Sequence, residues 1–530
     1  MSSPSSSMQH ESVLVLGLGE SGLAMARWCA RAGARVRVWD SRDLAPQADT
    51  LAREWPEAER LSGELKPDAV TGLTLVLKSP GLSPYDPRIA PLTQEARVRG
   101  VPVLGELDLF VRALAELKEA RGYAPQLLAV TGTNGKTTTT AMTALLVERA
   151  GRRVALAGNI GPTLLDTLTA ALAEDKLPEV WVLELSSFQL EGGGTGVAGF
   201  EPDAAAVLNV TQDHLDWHGS MAAYIAAKQR VFGSAGEASR GVMVLNRDDA
   251  VVEAMASLAV PAAPAAARGK PRGAPRPAPR QVVRFGLEPP QRPGDFGLVV
   301  ENRMAWLVRA LPADETHKPK AGEEIELHLQ RLMPADALRV RGRHNAANAL
   351  AALALATAIG CPLAPMLHGL REYAGEPHRV QWVATVDGIE AYDDSKGTNV
   401  GATVAALVGL GADKAPARLV VVLGGDGKGQ DFSPLLAPVM QHVRAVATIG
   451  RDAGLVEAAL ADAVAAGVVV QRHESLEAAT RWCFEQARPG DAVLLSPACA
   501  SLDMFRNYGH RAEVFVQAVQ ALAAERGAVT

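Results

Sequence analysis

Cysteine is scarce: Cys29, Cys361, Cys483 and Cys499 are the only four in 530 residues, and none stands in C-x-x-C spacing. They cannot build a disulfide framework, so a reducing cytosol is the natural setting. A charge excess is missing as well. The 53 Lys+Arg against 59 Asp+Glu leave −6, with no basic tail to draw the chain to nucleic acid or an anionic membrane. The first residues, Met1 to Glu11, are Ser-rich without a basic segment, and the first apolar run, Val13 to Leu16, ends in glycines rather than an export signal. The longest uncharged stretch, Ala346 to Leu367, is Ala-rich and holds Asn348, Gly360, Pro362 and Pro365, which predicts a buried helix and no membrane span. With 48% apolar and 21% charged residues the chain is not globally disordered. A cytoplasmic, monomeric protein is expected.

The length allows three or four domains. Strands are predicted at 13–16, Arg35–Trp39, Leu127–Val130, Val180–Leu185, Ala204–Val210, Ile389–Tyr392, Leu419–Leu423, Ala445–Ile449 and Ala492–Leu495. Helical patterns lie between them, which implies parallel sheets covered on both faces. The blocks divide as 1–120, 121–374 and 375–530. Pro261 to Arg280 is Pro/Ala/Arg-rich and Pro312 to Glu324 is polar, so a surface insertion is expected near 257–325 of the second block.

Thr131-Gly132-Thr133-Asn134-Gly135-Lys136-Thr137-Thr138, between a strand and a helix, is the most specific motif. Such a loop points backbone N–H groups and a helix N-terminus at phosphates. Lys136 would reach the terminal phosphates and the Thr137 hydroxyl a Mg²⁺ ion, although Val130 stands where the usual motif has its first glycine. Glu184 ends an apolar strand, where an acid must be paired or bind a cation; a metal ligand and a salt-bridged core carboxylate are equal readings. His214 and His218 have the spacing of zinc ligands on a helix but lack HExxH or a third ligand, so zinc is the weaker reading. Gly17-x-Gly19-x-x-Gly22 with Asp40 fits a dinucleotide fingerprint, and alone it would suggest an oxidoreductase. Loops carrying Lys396 and Lys428 suit a small anionic substrate. Cys499 lacks a basic partner and reads as a buried thiol.

Together GTNGKTT (132–138), GNIG (158–161), LELSSFQL (183–190), NVTQDHLDWH (209–218), GRHNAANALAA (342–352), DDSKGTN (393–399), GGDGKGQDF (424–432) and LSPACASLDMF (495–505) resemble the Mur ligase family of peptidoglycan synthesis, from Gly17 to about Val514. No DNPR-type motif is present, and DSKGTN with SPACASLD fits the step that adds D-glutamate to UDP-N-acetylmuramoyl-L-alanine. The resemblance implies an α/β protein of three domains: N-terminal Rossmann-like, central P-loop ATPase-like with a mostly parallel sheet, and C-terminal Rossmann-like.

It further implies that Ser21, Asp40, Ser41, Arg42, Ser79, Pro80 and Gly81 face the UDP group, with Asn159 holding substrate. ATP would lie on Gly132, Thr133, Asn134, Gly135, Lys136, Thr137 and Thr138, with His344, Asn345, Asn348, Arg379 and Asp394. Two Mg²⁺ ions would sit at Thr137, Glu184, His214 and Lys228, the last carbamylated by CO₂, although residue chemistry alone makes Lys228 a solvent-facing helix lysine. Lys136, Lys228 and His214 would be catalytic. Lys396, Thr398, Lys428, Ser501, Leu502 and Tyr508 would hold D-glutamate, Tyr508 and Glu20 being departures from the commoner Phe and apolar residue. A folylpolyglutamate synthase-type ligase and a non-catalytic nucleotide-binding module are the other readings.

Overall fold

The computed structural model describes residues 8–42, 44–194, 196–233, 241–259, 280–314, 325–340 and 342–527. β1 (Ser12–Leu16), β2 (Arg35–Trp39), β3 (Glu59–Leu61), β4 (Leu75–Lys78) and β5 (Val103–Leu104) form a parallel sheet in the order β3-β2-β1-β4-β5. Strand order reverses between β1 and β4, so the loops after these strands flank a ligand crevice. The crevice needs its glycines: a Cβ on Gly22 would lie 1.9 Å from the Gly17 carbonyl oxygen.

The second sheet is parallel too. It holds β6 (Gln126–Thr131), β7 (Val154–Gly158), β8 (Val180–Glu184), β9 (Ala204–Val207), β10 (Val242–Asn246) and β11 (Val282–Phe285), ordered β11-β10-β9-β6-β8-β7. Here the reversal falls at β6, and the Gly132–Gly135 loop follows directly. All five residues of β8 are buried, which accounts for its continuous apolar run before Glu184.

The third sheet of interest holds β15 (Gln381–Val386), β16 (Ile389–Asp393), β17 (Leu419–Gly424), β18 (Val443–Ile449), β19 (Val469–Arg472) and β20 (Ala492–Leu495) in the order β15-β16-β20-β17-β18-β19. Only β15 runs antiparallel. Because β16, β20 and β17 are neighbours, the three charged loops that follow them meet at one sheet edge.

Two sequence expectations are corrected. The span 257–325 is not one insertion: β11 completes the central sheet, and β12 (Phe296–Glu301), β13 (Met304–Pro312) and β14 (Leu327–Pro334) form an antiparallel meander. Asn302 and Arg303 both adopt positive φ, the two-residue turn that matches the twist of a hairpin. The Pro-rich stretch 260–279 and the polar residues 315–324 lie outside the described residues. The run 346–367 is two helices, Arg343–Ala358 and Leu363–Glu372, interrupted at Gly360 with φ +82° and Pro362. The first is buried along Ala346 and 348–356 because it packs on the helix Lys136–Arg149 and the central sheet, so its apolar character reflects protein, not lipid. Among the described residues no helix is long and apolar enough to cross a membrane.

One apolar core is continuous from the first sheet into the second, joining Val13, Phe110, Ala129 and Leu183. Phe110 of the helix Glu106–Arg121 meets Trp181 of β8 edge-on with ring centroids 5.0 Å apart. Residues 384–523 have apolar clusters of their own.

Candidate active site

The helix Lys136–Arg149 starts at Gly135, whose φ of +81° turns the chain so that successive N–H groups face outward. A Cβ there would sit 2.6 Å from Asn348 Oδ1, so glycine also admits the neighbouring helix. Asn209 clamps the loop from both sides: its Oδ1 accepts from the Asn134 N–H at 2.8 Å and its Nδ2 donates to the Asn134 carbonyl at 3.0 Å. Thr133 Oγ1 lies 3.1 Å from the Tyr224 hydroxyl and accepts from Thr211 N at 3.0 Å. Lys136 Nζ folds back onto the carbonyls of Gly132 and Thr133, both at 2.9 Å. Burial lowers its pKa, against the attraction of Glu184.

Glu184 is 2% exposed. Asn159 Nδ2 donates to its Oε1 at 2.9 Å, whereas Oε2 is buried with no hydrogen-bond partner among the described residues. The salt-bridged reading therefore gives way to a carboxylate with one oxygen open to a cation, as a hard divalent ion requires. Asn159, expected on substrate, donates one amide N–H to this acid. Zinc is not supported. His218 lies 2.9 Å from Ser187 Oγ among the rings of Trp217, Phe188 and Tyr224, and no cluster of three His, Cys, Asp or Glu among the described residues could hold a metal.

Lys228 overturns the solvent-facing reading. It is 1% exposed, with Nζ 4.5 Å from the Tyr224 ring centroid. Burial lowers its pKa well below the usual lysine range; Lys136 adds to this and Asp213 opposes it. His214 has φ +54° and lies 3.5 Å from Asp213. Burial lowers its pKa, Asp213 opposes that, and Lys428, Lys136 and Lys228 lower it further. Several cations thus converge on two carboxylates, Asp213 and Glu184, a field that favours anionic ligands.

The third domain supplies more of them. Arg379 Nη2 donates to Thr137 Oγ1 at 3.2 Å and Lys396 Nζ to the same oxygen at 3.4 Å. Lys396 is also 5.7 Å from the Tyr508 ring centroid, and burial lowers its pKa first, then Arg379. Asn399 Nδ2 bridges Asn134 Oδ1 and Asp213 Oδ2 at 3.1 and 3.4 Å. The cleft between these domains is lined by Thr138, His344, Asn345, Asp394 and the apolar Val340 and Ala406. Asp394 accepts from Ser496 Oγ at 2.7 Å, and burial pushes its pKa up to about 7. Thr398 follows Lys396 in the same loop, its N–H donating to the Lys396 carbonyl. Ser501 is buried, Leu502 and Lys428 are exposed, and Lys428 acts on His214 through charge.

At the first crevice, Asp40 accepts from Leu18 N at 2.7 Å and from Arg42 Nε at 2.9 Å, and Arg42 holds its pKa down at about 2. With Arg60 and Ser62 they line a cavity. Ser41 Oγ accepts from Arg88 at 2.9 Å, and Ser79 Oγ donates to the Gly17 carbonyl at 2.9 Å, just before Pro80 and Gly81. Ser21 is half-buried in the first turn of the helix Glu20–Arg31. All four cysteines are free and buried, and burial pushes the Cys499 thiol up to about 12.

Sequence reasoning missed Asn209, Asp213 and Asn399, although each stands inside a quoted motif. It also missed His378, whose Nδ1 lies 2.6 Å from the buried Asp393, and Arg511, which is 0% exposed and donates to the carbonyls of Cys499 and Ser395. An arginine within an apolar helical pattern was the available signal for Arg511.

Family models for the Mur ligase MurD-like N-terminal domain, the Mur ligase middle domain and the Mur ligase glutamate ligase domain match residues 11–105, 130–267 and 378–499. The chain belongs to the Mur ligase family, ATP-dependent enzymes that form amide bonds. The UDP-N-acetylmuramoylalanine--D-glutamate ligase of Albidiferax ferrireducens is 59% identical over 523 residues, 98% of either chain. The protein of the same name from Burkholderia pseudomallei is 56% identical over 529 residues, again 98% of either chain. The crystal structure of MurF ligase from Thermotoga maritima in complex with ADP superposes with a TM-score of 0.54 at 15% identity, covering 98% of this chain and 97% of that one. MurF from Acinetobacter baumannii gives 0.52 at 15%, covering 98% and 93%. At these identities the likeness is one of fold.

Proposed function

We propose that the chain joins D-glutamate to UDP-N-acetylmuramoyl-L-alanine at the expense of ATP. The observation that carries this reading is the meeting of Arg379 and Lys396, from the amino-acid side, with Thr137 of the phosphate loop. A carboxylate is a poor electrophile, so an alanyl carboxylate oxygen takes the γ-phosphoryl group of ATP, with ADP leaving, to become an acyl phosphate. The D-glutamate amine then attacks its carbon, and the tetrahedral intermediate expels phosphate. Lys136 exchanges its two loop carbonyls for γ-phosphoryl oxygens, and Arg379 and Lys396 neutralise charge on the transferring group. His344, Asn345, Asn348 and Asp394 hold the nucleoside end of ATP. Asp40, Arg42, Ser79 and the glycine loop hold UDP, and Thr398, Lys428, Ser501 and Tyr508 the amino acid.

The open Glu184 oxygen fits Mg²⁺; the Thr137 hydroxyl would join it once Arg379 and Lys396 leave it for the phosphates, with His214 and Lys228 for a second ion. Bound there, Mg²⁺ supplies charge neutralisation at the phosphoryl oxygens. Lys228 serves as its carbamate, the form in which a buried lysine becomes an anionic ligand. The protein works as a cytoplasmic monomer.

The test is phosphate release with ATP, Mg²⁺ and UDP-N-acetylmuramoyl-L-alanine in the presence of D-Glu, L-Glu, D-Ala or diaminopimelate. Release with D-Glu alone is expected. Release only with another amino acid moves the chain to another step of the family, and release with none favours a folate ligase.

A further inference from the structure

Lys78 is the last residue of a strand whose four residues are all buried, and it is itself 1% exposed. Enclosing an ammonium group there costs more than an aliphatic side chain of similar size, so its contacts should reveal a use. Its Nζ donates to the Leu82 carbonyl at 2.8 Å and to the Ser79 carbonyl at 3.4 Å, closing the loop 79–82 into a ring. That loop holds the Gly17 carbonyl through Ser79 Oγ. On its other side Nζ lies 5.4 Å from the ring centroid of Trp217, a residue of the central domain three positions after His214. Ser83 Oγ makes a second tie across the same seam, donating to the Trp217 carbonyl at 3.0 Å. Trp217 is 7% exposed and stacks on Phe188, with ring centroids 4.6 Å apart. Glu191 and Asp108 attract the ammonium and Arg97 repels it.

We infer that Lys78 is a positioning residue: it fixes the spacing between the nucleotide-binding loop 79–82 and the loop that carries His214. A substrate anchored by its UDP group then presents its far carboxylate at the phosphoryl-transfer centre. This rests on the proposed function, which assigns the UDP group to that loop.

Kinetics of the full-length Lys78→Met variant test the idea. A displacement of about 1 Å in a substrate-positioning loop costs on the order of a hundredfold in rate, so kcat/KM for UDP-N-acetylmuramoyl-L-alanine should fall by about that factor. Affinity for a non-hydrolysable ATP analogue, titrated separately, should stay unchanged, because the phosphate loop is held by Asn209 instead. Ser83→Ala cuts the second tie without removing buried bulk and should shift kcat/KM the same way by a smaller factor. Unchanged kcat/KM in both variants overturns the inference. So does a parallel loss of ATP-analogue affinity, which would mark general unfolding. If the unmodified chain binds the ATP analogue but does not turn over the UDP substrate with D-Glu, the parent reading fails instead.

Discussion

A lysine amine adds to carbon dioxide only when neutral, and burial keeps it so. Burial pushes Lys228 toward that form while it faces the cationic neighbourhood of Lys136, where an anion in its place would relieve the repulsion. Lys228→Ala should be inactive and partly restored by small carboxylic acids, which bring a carboxylate to the vacated space; phosphate release measured across a series of such acids checks this. Without restoration, the carbamate loses its support. At this scale legibility was uneven. Thr137 and Lys136 stand out in the sequence because a phosphate loop constrains residue type at fixed spacing. Lys228 could not, since its helix Met221–Gln229 has a run of alanines around it that marks no face as inner. His378 escaped notice for a similar reason: its partner Asp393 comes from the end of β16, and pairing across strands leaves no local trace.

Among elements, the turn into the helix Lys136–Arg149 has little tolerance. Gly135→Ala combines a left-handed backbone with the 2.6 Å approach to Asn348 Oδ1. ATP-analogue affinity should fall by at least about tenfold, since strain on the order of 1–3 kcal/mol falls on the loop proposed to hold the phosphates. Titration calorimetry of the folded variant measures it. The helix Glu106–Arg121 offers a different test. Glu106 is 2% exposed, accepts from Leu165 N at 3.1 Å, and is pushed up to about 7, mainly by burial. An unfolded glutamate ionises near the ordinary value, so between roughly pH 4.5 and 7 the folded chain retains a proton that the unfolded chain has released. Stability from this group therefore falls as pH rises through that window. Glu106→Gln keeps an acceptor for Leu165 and should stabilise by on the order of 2 kcal/mol at pH 8 while changing little at pH 5. Thermal melts at both pH values would read the difference, and equal shifts at both would contradict it. Parallel strands were legible because they are buried on both faces and appear as apolar runs. The meander β12–β14 was not, since its hairpin turn Asn302-Arg303 lacks the glycine that commonly announces one.

At the level of the whole molecule, the core that runs from Val13 through Phe110 to Leu183 makes the first two sheets one cooperative body. The third sheet has separate apolar clusters and meets that body at Thr137 and Asn134 mainly through polar side chains. Scanning calorimetry should resolve two transitions, one for residues up to about 374 and one for the remainder. On the proposed binding of ATP across the cleft between them, an ATP analogue should raise both. A single transition insensitive to the nucleotide would show that the polar seam couples the bodies as strongly as a core. Sequence blocks at 1–120, 121–374 and 375–530 suggested three units, since the number of parallel sheets is visible in strand spacing. Which of them share a core is not, because that depends on which faces Phe110 and Trp181 present.

The shared core also bears on how such chains can be recombined. A glutamate-loop module from another family member could be grafted after residue 374 with only a polar seam to match, so amino-acid preference is open to exchange. The N-terminal module cannot be traded so freely. Any donor would have to carry a face complementary to Phe110, Trp181 and Leu183, and substitutions there would be inherited in pairs across two modules rather than one at a time.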